Sequence, residues 1–114
     1  MDILVEFRKK TAIARIRGAM DAFSSSEIED QLAGLLQNRY SLIMDMTEVS
    51  SISTEGFLTM LLLYRHAAAK NIRVRLFGLS DEIEDTFRIT GYERFFIIKE
   101  TLDQCLAADG EGSQ

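Results

Sequence analysis

The sequence predicts an α/β protein with a central mixed β-sheet of about four to five strands and about four α-helices. Two observations lead to this fold class. The first two segments with alternating apolar residues are typical of a β-hairpin, and beyond them helical and strand-like segments alternate. The length of 114 residues fits one domain. We place that domain at residues 1–108 and expect the polar, glycine-containing residues 109–114 to form a disordered tail.

The opening hairpin is predicted from a period of two residues. Apolar side chains alternate over residues 3–7, as in a half-buried strand. Residues 9–11 form the expected turn, and residues 12–17 the returning strand. We expect Gly18 to end this second strand.

A first helix is predicted from Ser24 to about residue 37. Ser24 with Glu27 fits a capping box, in which each side chain satisfies a free backbone N–H group at the start of the helix. The apolar positions that share one face of this helix are Ile28, Leu32, Leu35 and Leu36.

A buried strand and a buried helix are predicted in the middle of the chain. Residues 41–46 are mostly apolar and form a short run, which is typical of a central strand covered on both faces. Residues 47–53 are interpreted as a polar connection. Residues 54–70 then predict a second helix, which should be largely buried because apolar side chains surround most of its first two turns.

The last third of the chain repeats this alternation. Residues 72–77 predict a strand, and a third helix follows, with Ser80 as its N-cap and Gly91 just past its C-terminal end. A short strand at residues 95–98 and a helix capped by Thr101 complete the prediction.

Charge and hydropathy exclude several classes of protein. The net charge is -5 and no basic stripe is present, which argues against nucleic-acid binding. The N-terminal residues lack the apolar region of a signal peptide. The longest apolar run, residues 57–64, falls far short of the roughly 20 residues that span a bilayer. A single cysteine, Cys105, cannot form an internal disulfide. We therefore expect a cytoplasmic protein without membrane insertion.

The side chains needed for catalysis or metal binding are scarce. His66 is the only histidine and lies about forty positions from Cys105. No Cys/His set has zinc-site spacing, and no glycine-rich phosphate-binding loop is present. We expect no enzymatic activity, no cofactor and no metal.

One polar segment, residues 49–57, stands out because it places three serines and a threonine between the buried strand and the buried helix. Either Ser53 or Thr54 could be the N-cap of that helix, and Glu55 an acidic residue of its first turn. Gly56 costs about 0.5–1 kcal/mol relative to alanine inside a helix, which suggests close backbone packing or access by another molecule. A phosphate on a hydroxyl here would be stabilised by the N-terminus of the helix.

The same region resembles a known family. Residues 42–57 resemble the core signature of STAS domains, the anti-sigma factor antagonists and their relatives. Residues 18–21 resemble the G-x-hydrophobic-D turn of that family. Residues 73–80 resemble its strand leading to the third helix, and residues 91–96 its link before the last strand. The likeness covers roughly residues 3–107 and implies a STAS-like fold.

The resemblance also implies a function. STAS domains of this kind bind an anti-sigma factor, usually a serine/threonine kinase of the histidine-kinase-like ATPase class, and so free a sigma factor. The kinase phosphorylates a Ser or Thr before the second helix, the modified domain releases its partner, and a phosphatase resets it.

By position in the motif, the resemblance assigns the phosphoacceptor to Thr54, with Ser53 as second choice. Ser53 stands where the family usually has Asp, and Glu55 where it usually has a small residue. The Glu55 carboxylate would repel a new phosphate and could partly imitate one. The partner-binding residues implied are Asp21, Ser24, Ser51, Ser53, Thr54, Glu55, Gly56 and Phe57.

Two alternatives stay open at this point. The chain could be a STAS interaction module that is never phosphorylated, serving in a signalling or lipid-transport complex or as a ligand sensor. The first predicted strand could also be a free sheet edge that pairs with a second copy in a homodimer.

Overall fold

The computed structural model describes residues 2–108, so the predicted tail at residues 109–114 lies outside the described residues. A five-stranded mixed sheet and four α-helices confirm the predicted fold class. The elements are β1 (Asp2–Arg8), β2 (Thr11–Met20), α1 (Ser25–Gln37), β3 (Ser41–Ile52), α2 (Thr54–Ala68), β4 (Arg75–Phe77), α3 (Asp81–Thr90), a 3₁₀ turn (Tyr92–Phe95), β5 (Ile97–Lys99) and α4 (Leu102–Ala107).

The strand order in the sheet is β1-β2-β3-β4-β5, the same as the order along the chain. β1 is antiparallel to β2, whereas β2, β3, β4 and β5 are mutually parallel. The carboxyl ends of β2 and β3 therefore lie at the same edge of the sheet, and there the polar segment, residues 49–57, runs from the end of β3 into α2.

Each face of the sheet has its own core. The larger core packs α1, α2 and α3 on one face and includes Ile28, Met60 and Phe87. The smaller one packs α4 on the other face through Cys105, above Ile43 and Phe77. Successive side chains of a strand point to opposite faces of the sheet, so the same strands contribute to both cores.

A buried cation joins α4 to the sheet. Arg75 is 3% exposed, and its guanidinium donates to the carbonyl oxygen of Cys105 over 2.7 Å. A hydrogen bond from a charged donor contributes about 1.5–3 kcal/mol. This bond therefore helps to hold the short helix in place.

The predicted ends of β2 and β3 are wrong. β2 does not stop at Gly18 but continues to Met20, with register shifts on both sides of Gly18 and a φ of +113° at that glycine. β3 includes residues 47–52, which were predicted as a connection, because they pair with the extended part of β2. Their polar composition fits their exposure, since residues 47, 48, 50 and 51 are exposed and only Val49 is buried.

The capping box at Ser24 is also wrong. Ser24 has helical backbone angles and makes no side-chain cap. Its hydroxyl instead donates to the carbonyl of Ala19 over 2.8 Å and accepts from the N–H of Asp21 over 3.0 Å. These bonds fold the loop back on β2, and α1 begins one residue later at Ser25.

Three smaller boundary predictions differ from the structure. The strand predicted at residues 72–77 is only Arg75–Phe77, and α2 ends at Ala68 rather than at residue 70. The strand predicted at residues 95–98 is Ile97–Lys99, since residues up to 95 form the 3₁₀ turn. Such short strands carry too few residues for a clear period.

The other helix ends are confirmed. The Ser80 hydroxyl accepts from the N–H of Ile83 over 3.2 Å, and the Thr101 hydroxyl accepts from the N–H of Gln104 over 3.1 Å. Gly91 ends α3 with a φ of +79°, the left-handed conformation that glycine adopts without strain.

Candidate functional site

The candidate site lies where the ends of β2 and β3 meet the start of α2. Met20 and Ile52 are paired at the end of the parallel ladder, and the N–H of Ser53 donates to the carbonyl of Met20 over 2.9 Å. The loop that leaves β2 and the turn that enters α2 are therefore joined by backbone. Two of the segments chosen from the sequence, around Asp21 and around Thr54, belong to one edge of the molecule.

Ser53 is the N-cap of α2, which decides between the two candidates for that position. Its backbone is extended, and its hydroxyl accepts from the N–H of Gly56 over 3.2 Å. The same hydroxyl donates to a carboxylate oxygen of Glu55 over 3.0 Å. Both the donor and an acceptor site of the Ser53 side chain are thus engaged within the turn.

Thr54 is the first residue of α2 and is exposed. Its hydroxyl makes no hydrogen bond to any of residues 2–108. The first turn of a helix has backbone N–H groups without intrahelical partners, and its dipole favours negative charge. A group added to this hydroxyl would therefore meet solvent and an electropositive helix end.

Gly56 lies against the backbone of β2. A Cβ atom at this position would stand 2.3 Å from the carbonyl oxygen of Met20 and 2.9 Å from the Ile52 side chain. Only glycine lets α2 approach β2 this closely. Close packing therefore accounts for this glycine, one of the two explanations that the sequence left open.

Asp21 shapes the loop next to this turn. Its half-buried carboxylate accepts from the N–H of Phe23 over 3.0 Å and from the N–H of Ser24 over 3.2 Å. Ser24 itself is 4% exposed. The described hydrogen bonds of the Asp21 carboxylate lie within the loop, and the Ser24 hydroxyl also bonds to Ala19 at the end of β2, so together they fix the shape of the loop.

Phe57 and Ser51 lie in different surroundings. Phe57 is half-buried, with its ring centroid 5.3 Å from that of Phe87 and 5.6 Å from that of Tyr92. This aromatic packing anchors α2 over α3. Ser51 is exposed near the end of β3.

Two exposed apolar side chains at this edge were missed by the sequence reasoning. Phe23, in the loop after β2, is 98% exposed, and Leu58 on α2 is 54% exposed. Leu58 follows Thr54 by one helical turn and shares its face. We call Phe23 and Leu58 the apolar rim. A phenylalanine among polar loop residues was the signal that could have found it.

Charged side chains on β2 and β3 lie on the face that carries α4. Arg15 contacts Asp45 over 3.1 Å and Arg17 contacts Glu48 over 3.3 Å. Asp45 is 6% exposed, and its carboxylate also accepts from the hydroxyl of Thr47 over 2.7 Å. With every contact made inside the sheet, this network fixes the pairing of the two strands.

A separate cleft lies between α3, β5 and α4. Its volume is about 810 Å³, and Gly78, Asp81, Lys99 and Gln104 are among its lining residues. None of the residues predicted as site residues lines it. Within residues 2–108, no three His, Cys, Asp or Glu side chains are grouped as a metal site requires.

A family model of the STAS domain matches residues 2–105. This chain belongs to the STAS domain family. The match spans every strand of the sheet and the start of α4, so the resemblance seen in the sequence is confirmed.

Solved structures share this STAS fold. A candidate anti-sigma factor antagonist from Thermotoga maritima is 11% identical, with a TM-score of 0.88 over 94% of this chain and 93% of that one. An anti-sigma factor antagonist from Mycobacterium paratuberculosis is 17% identical, with a TM-score of 0.84 over 95% and 92%. The phosphorylated Bacillus cell fate determinant SpoIIAA is 16% identical, with a TM-score of 0.73 over 93% and 97%.

At these identities the likeness shows the fold alone. None of the helices between residues 2 and 108 combines the length and the apolar character needed to cross a bilayer.

Proposed function

We propose that this STAS domain is an anti-sigma factor antagonist that is switched off by phosphorylation of Thr54. In its unmodified form it binds an anti-sigma factor that is also a serine/threonine kinase, and the bound sigma factor is released. The observation that carries this proposal is the exposed Thr54 hydroxyl at the N-terminus of α2, beside a Ser53 hydroxyl that is already engaged.

These hydrogen bonds support the choice of Thr54 over Ser53. Phosphorylating Ser53 would remove the acceptor that caps α2 and would place the phosphate beside Glu55. Loss of an N-cap costs about 0.5–2 kcal/mol. Modifying Thr54 breaks none of the described hydrogen bonds.

The switch would act through charge. A phosphate adds about -1.5 to -2 charges at neutral pH. The free N–H groups of the first turn of α2 favour this charge, so the domain stays folded. A partner surface built for an uncharged hydroxyl would then be repelled, and a phosphatase would restore binding. This proposal implies a cytoplasmic protein with a regulatory rather than a catalytic role.

The proposal is tested by finding the partner and the phosphate together. The chain is isolated from its native cell with bound proteins, which are identified by mass spectrometry, and the phosphopeptides are mapped. We expect an anti-sigma factor kinase and a phosphate on Thr54. A native protein with no phosphorylated fraction, under conditions in which the kinase is active, would contradict the proposed switch.

Variants separate the phosphate from the binding surface. Thr54→Ala should bind the kinase as the wild type does but resist phosphorylation, and Thr54→Asp should bind poorly. Ser26→Ala is the control, because Ser26 is exposed on α1 and is not among the predicted partner-binding residues. Equal binding by Thr54→Ala and Thr54→Asp would argue against control by charge at this position.

A second function is favoured by Glu55. Its carboxylate accepts a hydrogen bond from Ser53 and supplies a permanent negative charge in the first turn of α2. The chain would then be a STAS interaction module, in a signalling or lipid-transport complex, that binds its partner without being phosphorylated. In that case Thr54→Ala and Thr54→Asp bind alike and the native protein carries no phosphate.

A further inference from the structure

The edge of β1 is the longer of the two outer edges of the sheet in the described part of the chain. β1 contains seven residues with an unbroken register to β2, whereas the opposite edge strand, β5, contains three. No proline occurs in the chain, and no bulge interrupts β1. Bulges, prolines and short length are among the features that keep natural edge strands from pairing, and β1 lacks all three.

We propose that β1 pairs antiparallel with β1 of a second copy, about a two-fold axis at Val5. Two five-stranded sheets would join into one sheet of ten strands. Each copy supplies one such edge, so the assembly closes at two. This inference concerns a surface other than the proposed switch and does not depend on it.

The hairpin determines which backbone groups of β1 are free. Only Lys9 and Lys10 separate the closing pair, Arg8 and Thr11. In a two-residue hairpin the closing pair is hydrogen-bonded, and such pairs then alternate along an antiparallel ladder. The even-numbered residues of β1 therefore bond to β2. The N–H and C=O groups of Ile3, Val5 and Phe7 point outward.

A two-fold axis at Val5 pairs these outward groups along the whole strand. Val5 faces Val5 of the second copy, and Ile3 faces its Phe7. Asp2 then lies opposite Arg8 of the second copy at both ends of the interface. Leu4 faces its Glu6. All seven residues of β1 are paired, and no like charges face each other.

Neighbouring registers are less favourable. An axis at Leu4 sets Asp2 against Glu6 of the second copy, and an axis at Glu6 sets the two Glu6 side chains against each other. Like charges directly opposite are destabilising in antiparallel pairs, whereas opposite charges and apolar pairs stabilise them. The charges on β1 therefore select the register at Val5.

The two faces of β1 also differ in a way that suits pairing. Ile3, Val5 and Phe7 lie on the face of the larger core, where Phe7 is 53% exposed and its ring centroid lies 5.0 Å from that of Tyr40. In the dimer these side chains form one apolar row across the joint. Asp2 and Arg8 lie on the other face. Asp2 is 4.0 Å from Arg17 and Arg8 is 3.8 Å from Glu6, and with side chains 66% and 50% exposed both can also be reached by a second copy.

The test exploits the self-pairing of Val5. Val5→Lys and Val5→Glu each set like charges against each other, so each variant should be monomeric by sedimentation equilibrium while the wild type is dimeric. An equimolar mixture should form a one-to-one heterodimer by native mass spectrometry. Ile89→Lys is the control, because Ile89 is 83% exposed on α3, and it should remain dimeric.

Circular dichroism shows whether the Val5 variants fold, since Val5 is half-buried. If the Val5 variants do not fold, the single variants Asp2→Arg and Arg8→Asp test the proposed dimer instead. Each should weaken dimerisation about fivefold, and the double variant should restore it. A wild type that stays monomeric up to about 1 mM would overturn the proposal. So would folded Val5 variants that remain dimeric, a mixture without heterodimer, or a double variant as weak as the single ones.

Discussion

The carbonyl oxygen of Met20 lies 2.3 Å from the point where residue 56 would carry a Cβ atom, and residue 56 is glycine. The first turn of α2 is therefore seated directly on the end of β2. This contact, together with the hydrogen bond from Ser53 to Met20, ties the candidate phosphoacceptor to the loop that carries Asp21 and Phe23.

Gly56→Ala should destabilise the protein. The new Cβ would press on a backbone carbonyl that is held in the sheet, and overpacking of this kind costs about 1–3 kcal/mol. Urea denaturation measures the change in the free energy of unfolding.

Gly34→Ala in α1 is the matched control. A Cβ at position 34 would meet no atom within 4 Å, so this variant should gain about 0.5–1 kcal/mol from helix propensity. Equal effects of the two substitutions would show that Gly56 is not needed for close packing.

Ser53→Ala should lower the free energy of unfolding by about 1 kcal/mol, because the N–H of Gly56 loses its capping acceptor. Thr54→Ala removes an exposed hydroxyl without a partner among residues 2–108 and should stay within about 0.5 kcal/mol of the wild type. Thermal and urea unfolding of both variants make the comparison. A larger loss in Thr54→Ala than in Ser53→Ala would mean that Thr54, not Ser53, caps α2.

Glu55→Gln should speed phosphorylation of Thr54 if the proposed function holds. Two unit charges about 4 Å apart in water interact by about 1 kcal/mol, which corresponds to roughly fivefold in rate. The rate is measured with the isolated kinase and intact-mass spectrometry. Glu29→Gln, on α1, is the charge-matched control and should leave the rate unchanged. A Glu55→Gln rate equal to that of the wild type would remove electrostatic opposition as the role of this residue.

The free energy of unfolding should fall more steeply at high pH in the wild type than in a variant that lacks Cys105. Burial raises the pKa of this thiol above its usual 9.0, although Arg75 and Lys99 act in the opposite direction. The unfolded chain loses the proton first as the pH rises past 9.0, so unfolding becomes more favourable there. Between pH 8 and pH 10, roughly, the wild type should lose more stability than Cys105→Ala. Parallel losses would contradict a raised pKa.

Much of the fold was predictable because its signals are local. The alternation over residues 3–7 and the caps at Ser80 and Thr101 each depend on residues a few positions apart. The family motif, read over residues 42–57, placed Thr54 at the start of the second helix, where the structure has it.

The parts that sequence reasoning missed depend on distant neighbours. The composition of residues 47–52 is typical of a loop. These residues form a strand because they pair with β2, where Arg17 contacts Glu48. The spacing of Ser24 and Glu27 is typical of a capping box, but the Ser24 hydroxyl donates to the carbonyl of Ala19 instead. The exposure of Phe23 follows from that loop, which no short-range pattern describes.

The strands have the same order in the sheet as along the chain, and this order affects how the domain can fold during synthesis. Each strand joins the edge left by the one before it, so no strand must later be inserted between two others. The β1–β2 hairpin can form as soon as it leaves the ribosome, and each βα unit can then add in turn. The bond from Arg75 to the carbonyl of Cys105 is made only when α4 emerges, and it fastens the assembled sheet from its second face.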